Sequence, residues 1–213
     1  MNSIKDLTKY DNIKGMLTGR DCFIVGSGPS LIGFDFSKLN DKFTIGVNHI
    51  IEHYDNLDCL LFGDRIFVKT NEYDLDKFPG KIFMSEETSW QGEMSHIIDK
   101  ENTYIFEKNR SCVSNNLVSD GLFHPTNSGF MAMNLALIMG ARKIYLLGFD
   151  FKYRGSQMHF YTNKDHHNRY PEKKFQKKLD KIIHFAKYKD KFINLSLESE
   201  LNLFEKKSID EVI

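Results

Sequence analysis

A nearly unbroken apolar stretch between Asn127 and Gly140 constrains the fold more than any other part of this sequence. Asn127 or Ser128 suits a helix N-cap, the body consists of good helix formers, and Gly140 suits a left-handed C-cap. A helix that is apolar on nearly all sides must be covered on nearly all sides, as in the middle of an α/β layer. The run 143–150 follows at once and predicts a central parallel strand that ends at Asp150.

Several other runs have the length and composition of buried strands. They are 21–26, 43–48, 57–64, 80–85, 103–106 and 191–196. An apolar stripe from Phe175 to Ala186 predicts a helix, and we expect a tail helix at about 203–213. The sequence therefore predicts one α/β domain over residues 1–213, with a mostly parallel sheet.

The totals exclude several classes of function. Lysine and arginine together number 29, as do aspartate and glutamate, so the formal charge is zero and bulk electrostatics give no reason to expect nucleic-acid binding. The first residues are polar and no apolar run approaches the length of a membrane span, so we expect a cytoplasmic protein without a transmembrane segment. Cys22, Cys59 and Cys112 lack metal-ligand spacing and predict free thiols. Trp90 and Phe123 could form an interface between copies of the chain, so a homo-oligomer is not excluded.

Polar residues follow several predicted strands at the point where each strand ends. Gly26 and Ser27, Asn48, Asp64 and Asp150 hold these places. Because the carboxyl ends of parallel strands meet at one edge, where open α/β folds bind ligands, we expect a site there. Each residue alone is also an ordinary turn former, so the prediction depends on the recurrence at four strand ends.

The turn Gly26-Ser27-Gly28-Pro29-Ser30 suits a phosphate. Its glycines let backbone N–H groups approach an anion without a Cβ in the way, and Ser30 can cap the element that follows. The spacing matches neither the dinucleotide fingerprint nor the P-loop, and it lacks the Gly-x-Ser-x-Gly elbow of serine hydrolases. A plain tight turn explains the same residues.

Aromatic, basic and imidazole side chains crowd segment 151–170, which has neither a helical nor a strand period. Such a segment supplies little core, so contacts to a ligand or partner explain its composition better. His166 and His167 are adjacent and rarely bind one ion together, so we expect no zinc site that uses them with His159. An imidazole has a pKa near neutrality, and one of the three could accept a proton from a hydroxyl.

These parts together predict transfer of a group from a bound nucleotide. Backbone N–H groups of the turn 26–30 and of the helix that starts near Ser128 would hold phosphate. Asn48, Asp64 and Asp150 would hold base and ribose. A magnesium ion bound by Asp64, Asp150 and ligand phosphates is an alternative use of the two carboxylates.

The motifs in these places resemble the bacterial sialyltransferases of glycosyltransferase family 42, and they are similar to the MptE-like family, which includes a hydroxymethyldihydropterin pyrophosphokinase. The motifs are Ile24 to Leu31, Asn48, Asn127-Ser128-Gly129 and Lys143 to Phe151, and the tail from Ile193 to Lys206 is similar to the end of the MptE-like family. The resemblance covers about residues 21 to 205. It implies a single Rossmann-like domain with helices on both faces of the sheet.

The sialyltransferase resemblance implies a CMP-sugar donor, a glycan or small-molecule acceptor, and no required cofactor. The turn 26–30, Asn48, Ser128-Gly129 and Asp150 would bind the cytidine monophosphate part of the donor. His167 or His166 would match the general base. Tyr153 and His159 would stand where the family uses tyrosines on the leaving phosphate.

The sequence departs from the sialyltransferases at three places. Ser27 and Asp64 stand where that family has asparagine, and His124-Pro125 stands where it has an arginine. Two alternatives therefore stay open. The first is Mg²⁺-dependent diphosphoryl transfer from ATP to a small alcohol, as in the pterin kinase. The second is a nucleotide-sensing or partner-binding module without catalysis.

Overall fold

The computed structural model describes residues 8–89, 95–98, 100–161 and 172–213. Within these ranges eight strands form one sheet in which all neighbours are parallel. They are β1 Cys22–Val25, β2 Thr44–Val47, β3 Cys59–Phe62, β4 Lys81–Ser85, β5 Thr103–Phe106, β8 Ile144–Leu147, β9 Phe192–Asn194 and β10 Glu205–Lys206. A separate parallel pair consists of β6 Lys108–Asn109 and β7 Leu122–Phe123.

The helices of the described residues connect these strands. The α-helices are α1 Thr8–Asp11, α2 Arg65–Thr70, α3 Glu86–Ser89, α4 Ser95–Ile98, α5 Leu117–Asp120, α6 Ser128–Ile138 and α7 Glu172–Leu179. The 3₁₀ segments are Pro29–Leu31, Phe36–Leu39, Asn48–Glu52, Leu75–Lys77, Asp180–Lys191 and Ile209–Glu211. No helix in the described part of the chain is long and apolar enough to cross a membrane.

The strand order places a crevice between β1 and β8. The order across the sheet is β10-β9-β8-β1-β2-β3-β4-β5, so the chain runs outward from β1 to β5 and then returns to the other side of β1. In open α/β sheets the loops on either side of such a reversal part at the carboxyl edge and leave room for a ligand. The predicted α/β class with a mostly parallel sheet is confirmed.

The sheet is buried on both faces by two hydrophobic clusters. Alternate residues of β1 divide between them, with Ile24 in the cluster that contains α6 and Phe23 and Val25 in the other. Because both faces are covered, the strands read as continuous apolar runs rather than as an alternation. This is why their positions could be predicted within about two residues.

The central helix α6 matches its predicted bounds. Nine of its eleven residues are buried, and the side chain of Asn127 accepts a hydrogen bond from the N–H of Phe130 at 3.2 Å. Gly140 has φ +79°, its N–H bonds to the carbonyl of Leu137, and the N–H of Ala141 bonds to the carbonyl of Ala136. These two bonds form a Schellman C-cap, as the glycine predicts.

The predicted tail helix is wrong. Residues 205 and 206 instead form β10, which pairs with Ile193 and Asn194 of β9. The buried ring of Phe204 stacks on Phe192 at 4.7 Å and holds this part of the tail against the sheet. Only one 3₁₀ turn, Ile209–Glu211, remains of the expected helix.

The structure confirms the expectation for the cysteines but not the suggestion that Phe123 forms an interface. Cys22 and Cys59 are buried free thiols and Cys112 is an exposed one, as expected. Phe123 is fully buried and packs against Phe185, so it offers no exposed surface for an oligomer. Trp90, the other residue considered for an interface, lies outside the described residues.

Candidate functional site

A cavity of about 290 Å³ lies at the carboxyl edge of the sheet, over the crevice between β1 and β8. Its wall is built from the turn after β1, the residues that follow β2 and β3, the start of α6, the loop after β8, and α7. The strand ends thus meet at one place because parallel strands all point the same way. The volume is at the lower end of the range typical of small-molecule sites.

Backbone groups of the two central turns contact each other at the floor of this cavity. The N–H of Gly26 donates to the carbonyl of Leu147 at 2.8 Å, and the N–H of Gly28 donates to the carbonyl of Gly148 at 2.9 Å. A Cβ added at Gly28 would overlap the carboxylate of Asp150 and lie 2.6 Å from the Gly148 carbonyl. Glycine is needed at position 28 because of this close approach rather than because of its dihedral angles.

Asp150 ties the turn after β1 to the end of β8. Its Oδ2 accepts hydrogen bonds from the hydroxyl of Ser30 at 2.8 Å and from the N–H of Ser30 at 3.3 Å. The Ser30 hydroxyl also lies 2.8 Å from that of Ser196. Asp150 is 4% exposed, and burial raises the pKa of its carboxyl while the Ser30 hydrogen bonds oppose that rise.

Backbone strain is concentrated in the cavity wall. Among the described residues, the non-glycine residues with positive φ are Asn48 at +53°, Thr126 at +66° and Phe151 at +54°, and all three line the cavity. A positive φ brings a side chain into steric conflict with the backbone. Residues other than glycine therefore keep it only where the surrounding structure holds them, often at functional sites. The Oδ1 atom of Asn48 is also buried without a hydrogen-bond partner in the described structure.

His159 lies over the turn after β1. Its Nδ1 is 2.9 Å from the hydroxyl of Ser27, and its ring is parallel to that of Tyr161, with ring centroids 5.3 Å apart. The N–H of Phe160 donates to the carbonyl of Ser27 at 3.0 Å, and Tyr161 stacks in turn on His53. Burial raises the pKa of the Tyr161 hydroxyl to about 12. These contacts hold a titratable imidazole in the cavity wall.

Asp64 and Ser128 join two further elements of the site. The Ser128 hydroxyl at the start of α6 donates to Asp64 Oδ2 at 3.3 Å, and Asp64 directly precedes α2. His124 precedes the start of α6 in the chain and is buried. Its Nδ1 has no hydrogen-bond partner in the described structure. Burial and the charge of Lys108 lower the pKa of the His124 imidazole to about 4.

The structure brings most of the predicted site residues into the wall of one cavity. These are Gly26, Ser27, Gly28, Asn48, Asp64, Asn127, Ser128, Gly129, Asp150 and His159. Ser30 lies behind the wall, bonded to Asp150. Tyr153 is outside the wall and packs on Phe175, with ring centroids 5.5 Å apart. His166 and His167 lie outside the described residues.

Sequence reasoning missed several residues of the wall. Thr126, Phe175 and Lys178 line the cavity as well, and so do Phe151, Lys152 and Met158 from the segment 151–170, in which ligand contacts were expected. The apolar stripe from Phe175 to Ala186 predicts a helix but assigns no place in the site to the lysines around Phe175. Phe175 and Lys178 are three residues apart, which puts both on one side of a helix. This spacing is the sequence signal that could have identified Lys178.

A metal site built from protein side chains alone is absent from the described residues. No group of three or more histidines, cysteines, aspartates or glutamates in them could hold a metal ion. Asp64 and Asp150 line the same cavity, and Asp150 already accepts the two hydrogen bonds of Ser30.

Solved glycosyltransferase structures share this architecture. The MAf glycosyltransferase from Magnetospirillum magneticum AMB-1 gives a TM-score of 0.60 at 17% identity, over 96% of this chain and 38% of that protein. The sialyltransferase CstII from Campylobacter jejuni, in complex with the substrate analogue cytidine-5′-monophosphate, gives 0.54 at 17% identity, over 90% of this chain and 86% of that one. This chain has the sialyltransferase fold.

The sialyltransferase fold also relates the chain to CST-II in complex with a trisaccharide acceptor and CMP, with a TM-score of 0.50 at 15% identity over 87% of this chain and 85% of that one. The fold implied by the sequence motifs is thereby confirmed. The chain spans little more than a third of the length of the MAf glycosyltransferase. No family model and no curated protein matches the sequence.

Proposed function

We propose that this protein is a glycosyltransferase that takes its sugar from a CMP-linked donor, as the sialyltransferases do. The observation that carries the proposal is the convergence of three elements on one cavity: the glycine turn after β1, the loop after β8 and the start of α6. The fold supports it, because one of its solved members is a sialyltransferase in complex with CMP.

The chemistry of the cavity wall suits a nucleotide. The wall includes the first residues of α6, where N–H groups suit a phosphate, and Ser27 of the glycine turn, in which the N–H groups of Gly26 and Gly28 already donate to carbonyls of the β8 loop. Asn48 brings a buried amide oxygen without a partner, which a base or ribose hydroxyl could satisfy. Asp150 holds the turn in place through Ser30.

The proposed reaction is a displacement at the anomeric carbon of the sugar. The acceptor hydroxyl oxygen forms a bond to that carbon, the bond from the carbon to the donor phosphate breaks, and CMP leaves with the electron pair. A histidine accepts the hydroxyl proton, and we propose His167 or His166 for this role. His159, next to Ser27 on the phosphate-binding turn, would donate a hydrogen bond to the leaving phosphate.

This reaction requires no metal ion. The alternative, diphosphoryl transfer from ATP to a small alcohol, requires Mg²⁺. One observation favours keeping it: Asp64 and Asp150 line the same cavity and could bind Mg²⁺ together with ligand phosphates.

A thermal-shift panel distinguishes the two reactions. The purified protein is heated with CMP, CDP, UDP, GDP, ADP or ATP, each once with Mg²⁺ and once with EDTA. A ligand at 100 times its Kd adds about 2.7 kcal/mol to the free energy of unfolding, which is a readily measured shift. We expect CMP to raise the melting temperature equally with Mg²⁺ and with EDTA.

The next measurement is release of CMP from CMP-sialic acid. A shift with ATP only in the presence of Mg²⁺ would favour diphosphoryl transfer instead. If no nucleotide changes the melting temperature, both enzymatic functions are wrong.

A further inference from the structure

Helix α7 and the 3₁₀ segment Asp180–Lys191 that continues it carry a local excess of positive charge. Between residues 174 and 191 the sequence has seven lysines and two aspartates, which gives five net positive charges. The formal charge of the whole chain is zero, so the rest of the chain is net acidic. Such a difference within one chain indicates a surface that attracts anions.

Three lysines of this part form a row, which we call the basic stripe: Lys177, Lys181 and Lys187. All three are exposed. Steps of four residues in an α-helix and six in a 3₁₀ helix return to the same side, so the three lie along one face. Lys177 and Lys181 form no ion pair in the described structure, whereas Lys108 pairs with a carboxylate at 2.9 Å. Lys187 contacts the ring of its neighbour Tyr188, with Nζ 4.7 Å from the ring centroid.

An exposed apolar side chain lies beside the basic stripe. Ile183 is 63% exposed, the highest value among the large hydrophobic residues of the described structure. Phe185 fills the core under the same segment, and Ile183 is two residues from Lys181. A lipid surface suits both features, because its anionic headgroups attract lysines and its apolar layer accepts an isoleucine. An acidic polymer would use the lysines alone.

We propose that this face binds the surface of a membrane that contains anionic phospholipids. The lysines of the basic stripe would contact the lipid phosphates, and Ile183 would enter the headgroup region. Because Phe175 of α7 lines the cavity, such binding would hold the cavity beside the membrane. Membrane binding does not depend on the proposed reaction, since it needs neither donor nor acceptor.

Vesicle sedimentation without nucleotide tests the proposal. Binding is measured to vesicles of equimolar phosphatidylglycerol and phosphatidylcholine and to vesicles of phosphatidylcholine alone. The proteins are the wild type, K181Q, K177Q/K181Q, I183S and K69Q. Lys69 is the matched control, because it is exposed on α2 and K69Q changes the net charge as much as K181Q does. Melting temperatures and circular dichroism show that each variant is folded.

We expect the wild type to bind the mixed vesicles and not phosphatidylcholine alone. K181Q should weaken binding about fivefold and K177Q/K181Q about 25-fold, the losses expected for one and for two lysines near an anionic surface. I183S should weaken it about two- to fivefold, because less apolar surface leaves water. K69Q should match wild type. Salt should weaken binding of the wild type more than that of K177Q/K181Q, because ions screen the attraction.

Three results would overturn the proposal. One is failure of the wild type to bind the mixed vesicles; binding to heparin in that case would assign the basic stripe to an acidic polysaccharide. Another is an equal loss in K181Q and K69Q, which would mean that net charge and not the stripe governs binding. The third is wild-type binding by I183S, because only the isoleucine distinguishes a lipid surface from an acidic polymer. The proposed function is unaffected by these results, since CMP binding is measured without membranes.

Discussion

Gly28 is the residue at which the cavity tolerates the least change. Its N–H bonds to the carbonyl of Gly148, and the space beside its Cα is filled by the carboxylate of Asp150. A side chain there must push apart the two turns that form the floor of the cavity. The same contact makes Gly28 sensitive to substitution for two reasons, stability and ligand binding.

Gly28→Ala is expected to lower the free energy of unfolding by about 1–3 kcal/mol, the usual cost of overpacking. It should also abolish the CMP-dependent thermal shift. Urea unfolding monitored by circular dichroism measures the first effect. Gly33→Ala is the control, because no atom lies within 4 Å of a Cβ at Gly33 and only its φ of +75° opposes the change. Equal CMP shifts in G28A and G33A would contradict this account.

His124 makes the fold sensitive to acid. Its pKa is about 4 in the folded protein, below the 6.5 of a free imidazole, because burial and Lys108 disfavour the charged form. The unfolded chain therefore binds the extra proton between pH 6.5 and pH 4, so stability is lost as the pH falls through this window. A difference of about 2.5 pKa units corresponds to about 3 kcal/mol.

The prediction is that His124→Gln removes part of the loss of stability between pH 7 and pH 4.5. Urea unfolding at several pH values measures it, with the wild type and the variant compared at each pH. His53→Gln serves as a control, since burial lowers the pKa of His53 less strongly. Parallel pH profiles for wild type and H124Q would show that His124 titrates normally.

Helix α6 holds the segment 113–123 through one buried amide. Asn134 Oδ1 accepts from the N–H groups of Ser114 and Phe123, both at 3.0 Å, and its Nδ2 donates to the carbonyl of Ser114 at 2.9 Å. All of these groups are buried, so each needs a partner within the protein. The segment 113–123 is thus attached to the central helix.

Asn134→Leu is expected to cost about 3 kcal/mol, because it leaves buried N–H and C=O groups without partners. Limited proteolysis should cut the segment 109–125 faster in this variant. Asn116→Ala, which removes an exposed cap of α5, should cost only about 1 kcal/mol and change the cleavage rate less. If N134L were as stable as N116A, the amide would not be the attachment.

The elements differ in how well the sequence predicts them, for physical reasons. Strands buried on both faces, such as β1 and β3, are apolar throughout and stop at polar turn formers, so composition locates them. β10 and the pair β6–β7 have two residues per strand, too few for a pattern, and they depend on contacts with distant parts of the chain. The predicted tail helix failed for this reason.

The candidate site was predictable at the strand ends, at the start of α6 and in the segment that follows β8. Asn48, Asp64 and Asp150 follow strands, and a parallel sheet brings strand ends together. The positive φ values of Thr126 and Phe151 were not predicted, because nothing in their residue types indicates them. Lys178 was missed because the neighbour of a helix face is a property of the tertiary structure.

Nucleotide binding should protect the carboxyl edge of the sheet from hydrogen exchange and leave the opposite edge unchanged. A second cavity of about 290 Å³ lies near the start of β1, β2 and β8 and includes Asp21, Lys42 and Tyr145. Ligand bound at the carboxyl edge suppresses local opening there, so amide hydrogen exchange should slow around residues 26–30 and 148–161. Exchange around residues 41–43 should stay the same.

Hydrogen exchange with mass spectrometry, with and without CMP in EDTA, measures this pattern. Cytidine should give weaker protection at the same concentration, since it lacks the phosphate. Protection at residues 41–43 alone would place the nucleotide at the opposite edge and contradict the proposed site.

The pairing of β1 with β8 determines when during synthesis the floor of the cavity can form. Cys22 pairs with Ile144 and Val25 with Leu147, so both halves of the cavity floor come from positions about 120 residues apart. Closing so long a chain costs entropy that is regained only when the strands dock. A chain that stops before Ile144 lacks β8 and cannot form this floor, so nucleotide affinity should arise only after the carboxyl-terminal third has been synthesised. Two fragments made by dividing the chain between β1 and β8 should reassociate more readily when the nucleotide is present.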